Sequence, residues 1–419
     1  MTATLAQSAA ILKTRYEGGK LPKSNYQEFP HTASITKRED FDGANKVIAL
    51  QTENPQGAAP DFATALGSIQ QGNYQKFTIE RVEAFGVARV KGQALKAAQG
   101  NAGAFVDLWR NETDGISQTV LKSMEWHLCR DGSGVIGAFT VSGTTNTMST
   151  TEDIAGVDMG MRVQTGDATT PLTPTMRNGS STGWVVEVDR KAGTFKVSAT
   201  STGSATAIGT VIPGTVSADS LYRAGEAAVA GTATVMTGER LWVVGGTSPG
   251  TLWGLNRNPD PVRRSGQEHD ATGQAMEDAI IDAESLLTFQ GIAGTRRLRA
   301  NSRDIRKWKK SLGGKFTYPR GELKTKVGVS FRTVEFEGEN GVIQIVSTPF
   351  QPSGKPILID PEFQSLDTLG PAPQMLDWDG SNFLRVASDD AYEVRFGWYG
   401  NLNMGRAPSK HVRLTGWGL

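Results

Sequence analysis

The chain has 419 residues, with 44 Lys and Arg against 43 Asp and Glu, which gives a formal net charge of +1 at pH 7. This balance gives no whole-chain argument for binding nucleic acid or an acidic membrane, and no apolar run approaches the roughly 20 residues of a membrane-spanning helix. The one cysteine, Cys129, excludes an intramolecular disulfide framework and a cysteine-based zinc site, and we expect its thiol to be buried.

The first 92 residues predict two segments that are too small to form a core of their own. Residues 1–45 contain one short helical stretch followed by glycines and prolines, and we expect an extended N-terminal arm. Residues 46–92 predict a long β-hairpin, with strands at 46–51 and 75–91. Because a two-stranded ribbon is only marginally stable alone, we expect both segments to lie on another part of the chain or on a neighbour.

The stretch 104–130 predicts a long helix to which the other parts of the chain are attached. Apolar residues recur every three or four positions, at Phe105, Trp109, Ile116, Val120, Met124 and Leu128. This is helical periodicity with one apolar stripe, and such a helix is roughly 40 Å long. The glycine-rich sequence at 131–134 is expected to end it.

Residues 135–254 are rich in Gly, Thr and Ser and predict β-structure. The stretches 184–189 and 194–199 flank a turn at 190–193 and predict a hairpin. A further strand is expected at 241–244. We interpret this part as an inserted all-β module, either a small barrel or a sandwich.

Residues 255–419 predict mixed α/β structure. A helix is expected at 274–290, and the sequence at 301–304 predicts the N-terminal cap of a second helix that ends near residue 312. Strands are expected at 297–300, 327–336, 342–347, 357–359, 392–399 and 412–414.

Motifs of catalysis and metal binding are weak. Residues 246–250 match the G-x-S-x-G pattern around Ser248, but a proline follows the serine and no amphipathic helix follows the proline, so we interpret it as a turn. Residues 377–380 resemble the start of a calcium loop, whose twelfth position is Ser388 instead of glutamate. The four histidines are scattered. We therefore predict no catalytic residue, no cofactor and no metal site.

The strongest local charge signal is a basic cluster that comprises Arg296, Arg297, Arg299, Arg303, Arg306, Lys307, Lys309 and Lys310. Contact with phosphates is one interpretation, and a solvated helix face or an inter-subunit salt-bridge surface is the other. The residues that we single out as a candidate face toward DNA or toward a neighbouring subunit are Arg303, Arg306, Lys307 and Lys310.

The order of these parts resembles the major capsid protein of tailed bacteriophages, which has the Hong Kong 97-like fold. The stretches that carry the resemblance are 75–79 leading into Ala94, 128–134 at the helix end, 275–291 followed by 298–301, and 392–414 with 403–408. The resemblance covers most of residues 1–135 and 256–419. Residues 135–254 depart from the minimal family pattern.

What the resemblance implies for the fold is an α+β chain of five parts. They are an N-terminal arm (1–45), an extended β-hairpin loop (46–92), a peripheral domain with the long spine helix (93–134 and 381–419), an inserted β-rich domain (135–254) and an apical/peripheral α/β domain (255–380).

What the resemblance implies for function is a non-enzymatic structural subunit. It would assemble into hexamers and pentamers of an icosahedral virion head around packaged double-stranded DNA, formed in the host cytoplasm. The implied partners are other copies, a scaffolding protein, a portal and a cement or decoration protein. Because the arm and hairpin lack a core, we expect contacts between copies there and on the last long strand, at Tyr16, Lys46, Ile48, Phe77, Ile79 and Trp398.

Three other interpretations stay open at this point. One is an encapsulin-like nanocompartment shell of the same fold, which the long β insertion disfavours. Another is a β-rich tail-tube or baseplate protein, against which the long helix argues. The third, a hydrolase that uses Ser248, is remote.

Overall fold

The computed structural model describes residues 29–93, 108–167, 172–288, 296–311, 320–324, 330–338, 341–376 and 384–418. Within these residues the helices are α1 (Pro30–Ser34), α2 (Phe62–Gly67), α3 (Leu108–Leu128), α4 (Ile208–Val211), α5 (Glu239–Trp242), α6 (Pro261–Arg264), α7 (Met276–Thr288) and α8 (Ser302–Ser311). Short 3-10 turns lie at Thr151–Gly156, Arg177–Ser180, Pro361–Phe363 and Pro408–Lys410.

The strands of the described residues form three large sheets and two ribbons. They are β1 (Thr36–Arg38), β2 (Asn45–Glu53), β3 (Asn73–Glu80), β4 (Val82–Lys91), β5 (Val135–Ser142), β6 (Thr145–Met148), β7 (Arg162–Asp167), β8 (Thr175–Met176), β9 (Gly183–Asp189), β10 (Thr194–Ser198), β11 (Ser220–Arg223), β12 (Thr251–Leu252), β13 (Leu255–Asn256), β14 (Gln267–Asp270), β15 (Arg296–Asn301), β16 (Arg320–Lys324), β17 (Ser330–Gly338), β18 (Gly341–Thr348), β19 (Ile357–Ile359), β20 (Ser365–Thr368), β21 (Gln374–Met375), β22 (Leu384–Arg385), β23 (Ala391–Asn403) and β24 (His411–Thr415).

The predicted hairpin is present, but its second strand is divided. β2 and β3 pair antiparallel from Asn45 opposite Glu80 to Glu53 opposite Asn73, with α2 in the connection. β4 leaves the ribbon and pairs with β23 in another sheet. Side chains alternate between the two faces of a strand, and Ile79 and Val82 are three positions apart. Because both are buried, they cannot lie on one face of a single continuous strand, and the strand divides between them.

The first large sheet is centred on the long strand β23, which pairs with β4, β20, β21 and β22, while β1 runs parallel to β20. The spine helix α3 packs on β4 and β23. Gly86 permits this approach, because a Cβ there would lie 2.7 Å from a methyl group of Val120 and 2.8 Å from Ile116. The predicted start of the spine at 104–107 lies outside the described residues.

The strands within residues 135–254 include a closed barrel. Its strand order is β11-β5-β6-β10-β9-β7, and β7 pairs again with β11, so six strands close the ring, with β8 added at β7. The hairpin predicted around 190–193 is confirmed as β9 and β10. The strand predicted at 241–244 is wrong, because the backbone there forms the helical turn α5 and buries Trp242 and Val243 between sheets.

The second large sheet has the order β14-β24-β19-β15-β18-β17-β16. Helices α7 and α8 pack on one side, in a core with Leu298 and Ala300 of β15. Because side chains alternate along a strand, Arg297 and Arg299 face the opposite side. Residues 381–419 divide between the two sheets, since β23 lies in the first and β24 in the second. The limits predicted for the other parts stay predictions.

Candidate assembly surfaces

A buried hydrogen-bond cluster joins the N-terminal helix α1 to the spine. The backbone nitrogens of His31 and Thr32 donate to the two carboxylate oxygens of Glu125, at 3.0 and 2.7 Å. The sulfur of Cys129 lies 3.4 Å from Nδ1 of His31. The predicted burial of this thiol is confirmed, and burial raises its pKa. The chain thus places its cysteine in structural packing, where a thiolate is disfavoured.

A second buried cluster joins the sheet that contains β15 to the sheet that contains β20 and β23. The Arg299 guanidinium donates to Glu239 of α5 and, over 2.8 Å, to the side-chain oxygen of Gln364, whose nitrogen donates to Glu239 over 2.6 Å. Burial lowers the pKa of Arg299 to about 10. His411 is also fully buried nearby, where burial and then the charge of Arg299 lower its pKa to about 3. These contacts fix α5 between the sheets.

The base of the hairpin is fixed by an ion-pair cluster. Nζ of Lys46 lies 2.5 Å from a carboxylate oxygen of Asp40 and 2.8 Å from one of Asp367. Asp367 is 1% exposed and also accepts a hydrogen bond of 2.6 Å from Asn403. Because a buried carboxylate needs such partners, Lys46 is bound to its own chain at this point.

Most of the predicted contact residues face the chain's own core. Ile48, Phe77, Ile79 and Trp398 are at most 9% exposed and belong to one cluster with the spine and α5. Tyr16 lies outside the described residues. The roles of these residues in contacts between copies stay predictions, and the side chains that the same region exposes are different ones.

The hairpin tip exposes four large apolar side chains. Phe62 and Leu66 of α2 are 81% and 58% exposed, while Ile69 and Tyr74 are 62% and 68% exposed. The α2 helix itself has no buried residue, and Asp61 caps its N-terminus by accepting from Thr64. Several large apolar side chains that are exposed within one short stretch of chain mark an interaction surface. Only their high exposure, which the alternating pattern did not predict, reveals this surface.

A second apolar patch lies on the outer face of β4. Phe85 and Val87 are 55% and 48% exposed, and the Phe85 ring meets that of Tyr399 edge to face at 5.6 Å between centroids. Their neighbours in the strand, Ala88 and Val90, point inward and are buried. The sheet therefore buries one face under the spine helix and leaves aromatic side chains on the other.

The basic cluster of the sequence separates into two sets. Arg296, Arg297 and Arg299 of β15 are at most 8% exposed, and Arg296 lies 3.3 Å from Glu284. The members of the cluster that lie on α8 stay exposed, namely Arg303, Arg306, Lys307, Lys309 and Lys310. Of the cluster, only the α8 set is therefore available to a partner.

The described residues contain no group of three or more His, Cys, Asp or Glu that could hold a metal ion. Ser248 is exposed in the segment between α5 and the short strand β12, so no strand leads into it and no helix directly follows it. The backbone bends at 246–247, inside the predicted turn, and residues 246–250 form neither a helix nor a strand. Residues 377–380 lie outside the described part of the chain. Within that part, no helix is both long enough and apolar enough to cross a membrane.

No protein-family model and no curated protein sequence matches the chain. Solved structures do match over nearly the whole length. The cyanophage A-1(L) capsid asymmetric unit is 8% identical, with 96% of each chain covered and a TM-score of 0.53. The chain has the fold of a phage capsid protein. The capsid of a native GTA particle is also similar, with 8% identity, 99% and 98% coverage and a TM-score of 0.48.

Within this capsid fold, the hairpin tip and the outer face of β4 are two surfaces on which the described chain exposes large apolar side chains. The coarse prediction of mixed α and β structure with a capsid-type fold is confirmed.

Proposed function

We propose that the chain is the major shell subunit of a tailed-phage head, a structural protein without catalytic activity. In this proposal it assembles into hexamers and pentamers of an icosahedral virion around double-stranded DNA, in the host cytoplasm. Other copies are its main partner, and a scaffolding protein, a portal and a decoration protein are further ones. The capsid-type fold supports the class of the protein, and its own surfaces support self-assembly.

The exposed hairpin tip is the observation that carries the proposal. Phe62 is 81% exposed on a helix that buries none of its residues. A side chain of this size is stabilised by roughly 1.5–3 kcal/mol when it is fully buried. In a subunit that works alone, four such side chains stay in water and contribute none of this free energy. In a subunit whose hairpin tip packs on a neighbour, they contribute to the association.

Imaging of the purified wild-type chain by electron microscopy tests the proposal. We expect large closed shells, or the hexameric and pentameric rings from which they are built. Small shells that enclose protein cargo would favour an encapsulin-like compartment, and tubes would favour a tail-tube or baseplate protein. A chain that stays monomeric, even with an assembly helper, would refute the proposal.

A matched pair of variants tests the role of the tip. Phe62→Ser/Leu66→Ser is expected to leave the fold intact, because both side chains are exposed, and to lower the yield of shells roughly tenfold or more. Met159→Ser/Val216→Ser removes two side chains of similar exposure from the barrel part, 69% and 53%, and is expected to keep shell formation. Equal yields from both variants would refute the role of the tip.

A further inference from the structure

We propose that the basic face of helix α8 docks on the acidic face of helix α7 in a second copy of this chain. This inference rests on the proposed function, because it assumes that copies of the chain meet, and it names which charged surfaces meet.

The basic face of α8 is one stripe of a helix. Arg303, Arg306, Lys307 and Lys310 follow the spacing i, i+3, i+4, i+7, which places them on one side. Ile305 and Trp308 are buried on the other side of α8. In the described chain, no carboxylate oxygen lies within 4 Å of the charged nitrogens of Arg306 or Lys310. Like charges at this spacing repel each other, so a partner that carries negative charge stabilises the stripe.

The acidic face of α7 has the same spacing. Asp278, Ile281, Asp282 and Ser285 also follow i, i+3, i+4, i+7, and all four are exposed. Ile281 is 40% exposed and adds an apolar contact between the two carboxylates. Asp282 lies 3.8 Å from the ring of His269. In the described residues no charged nitrogen lies within 4 Å of the Asp278 carboxylate. The two helices therefore carry stripes of equal period and opposite charge.

The two faces belong to one rigid unit. The Trp417 indole nitrogen donates to the carbonyl of Met276 at the start of α7, over 2.9 Å. The Lys307 ammonium donates to the carbonyl of Gly418, over 3.2 Å. Ile280 of α7 and Trp308 of α8 share one buried core. Each copy therefore presents the basic face of α8 and the acidic face of α7 in one fixed orientation relative to each other. The same contact can then repeat from copy to copy.

A second copy fits these faces better than a nucleic acid does. Both helices pack on the same side of the sheet, over Leu298 and Ala300. A phosphate backbone would complement the basic stripe of α8 alone, whereas a second copy also complements the acidic stripe of α7. A surface of mixed charge instead favours a partner with the complementary mixture, and complementary charges give such contacts their specificity.

Reversal of charge on each face, and then on both, tests the contact. The variants are Arg306→Glu/Lys310→Glu, Asp278→Lys/Asp282→Lys and the combination of all four changes. Shell yield is measured by sedimentation, and thermal melting of each unassembled variant checks its fold. We expect each reversal alone to lower the yield roughly tenfold and the combination to restore most of it, because the opposite charges face each other again.

Two controls accompany these variants. Lys191→Glu reverses an exposed charge in the turn between β9 and β10 and is expected to leave the yield unchanged. Arg306→Gln/Lys310→Gln removes the charges with little change of size and is expected to cause a smaller loss than the reversal.

The outcomes separate this inference from the proposed function. If the wild-type chain forms no shells, both are overturned. If it forms shells and neither reversal lowers their yield, or the combination restores nothing, only the docking of α8 on α7 is overturned. If the α8 reversal lowers the nucleic-acid content of shells without changing their yield, the basic face binds a polyanion and the inference is also overturned.

Discussion

Thr32 donates two hydrogen bonds to one carboxylate oxygen of Glu125, from its backbone nitrogen and from its hydroxyl, each 2.7 Å long. His31 donates to the other oxygen from its backbone nitrogen. Burial raises the pKa of this carboxyl group, while the hydrogen bonds act in the opposite direction. Helix α1 is therefore held to the spine helix through the buried side chain of Glu125.

Loss of the Glu125 side chain is expected to destabilise the chain strongly. Glu125→Ala leaves three buried donors without their acceptor, and each unsatisfied group costs about 1–3 kcal/mol. We therefore expect the free energy of unfolding, measured with urea, to fall by about 3 kcal/mol or more. Glu187→Ala is the control, since the Glu187 side chain is 60% exposed, and a change within about 0.5 kcal/mol is expected there. Equal effects of the two changes would contradict the role of Glu125.

His411 is expected to make the folded chain sensitive to acid. Burial and Arg299 lower its pKa from 6.5 to about 3 in the folded state. Below pH 6.5 the unfolded chain binds a proton at His411 that the folded chain does not bind, so the free energy of unfolding falls as the pH drops from 6.5 toward 3. Above pH 6.5 this contribution to the free energy of unfolding is fully present. The slope is about 1.4 kcal/mol for each pH unit. His31, whose pKa burial also lowers, adds to this loss.

Unfolding with urea between pH 7.5 and 4.5 measures this loss. His411→Leu is expected to have a shallower decline than the wild type, by up to the slope of one proton. His269→Leu is the control, because the His269 ring is only partly buried, at 17% exposure, and hydrogen-bonds to Gln274, whereas the His411 ring is fully buried. A decline that is equally steep in His411→Leu and the wild type would show that His411 is not the group that titrates.

Part of the fold is readable from the sequence because the signals are local. Alternation along 75–79 and along 82–90 predicts strands, and the step between Ile79 and Val82 marks where the chain changes sheets. The apolar stretch 241–244 has an equally strong local strand signal, yet it forms a helical turn. The backbone around Gly238 packs against the last carbonyls of the spine helix, which are more than a hundred residues earlier in the chain.

The candidate surfaces were harder to predict for a related reason. Arginines are expected at the surface, so the sequence placed Arg297 and Arg299 in one basic cluster with α8. Both are buried, and Arg299 pairs with Glu239, which is 60 positions away in the chain. The apolar tip at Phe62 carries no pattern that separates it from a buried position. Only the fold decides which apolar and charged residues face solvent.

The two sets of the former basic cluster are expected to respond differently to truncation. Arg299→Ala leaves Glu239 with a buried charge and without its ionic partner, which costs about 3–5 kcal/mol. Arg306→Ala removes an exposed side chain, and a change within about 0.5 kcal/mol is expected. Chemical denaturation of the unassembled chains measures both. Similar losses in the two variants would contradict the division of the cluster.

Two glycines near the spine are expected to have opposite effects when they are replaced by alanine. A Cβ at Gly238 would lie 2.1 to 2.6 Å from the carbonyl oxygens of His127, Leu128 and Arg130, so Gly238→Ala forces the backbone apart and costs about 1–3 kcal/mol or more. Gly115 lies inside the helix with open space around it, and Gly115→Ala is expected to stabilise by about 1 kcal/mol. Thermal melting compares them. A neutral Gly238→Ala would contradict the close packing at the helix end.

Crosslinking from the hairpin tip tests most directly the claim that other copies bury it. A photoreactive phenylalanine analogue replaces Phe62 in a mixture of isotopically heavy and light chains, which are assembled, irradiated and digested for mass spectrometry. We expect crosslinked peptide pairs that join heavy to light chains. Crosslinks confined to single chains, or none at all in concentrated folded protein, would contradict the account.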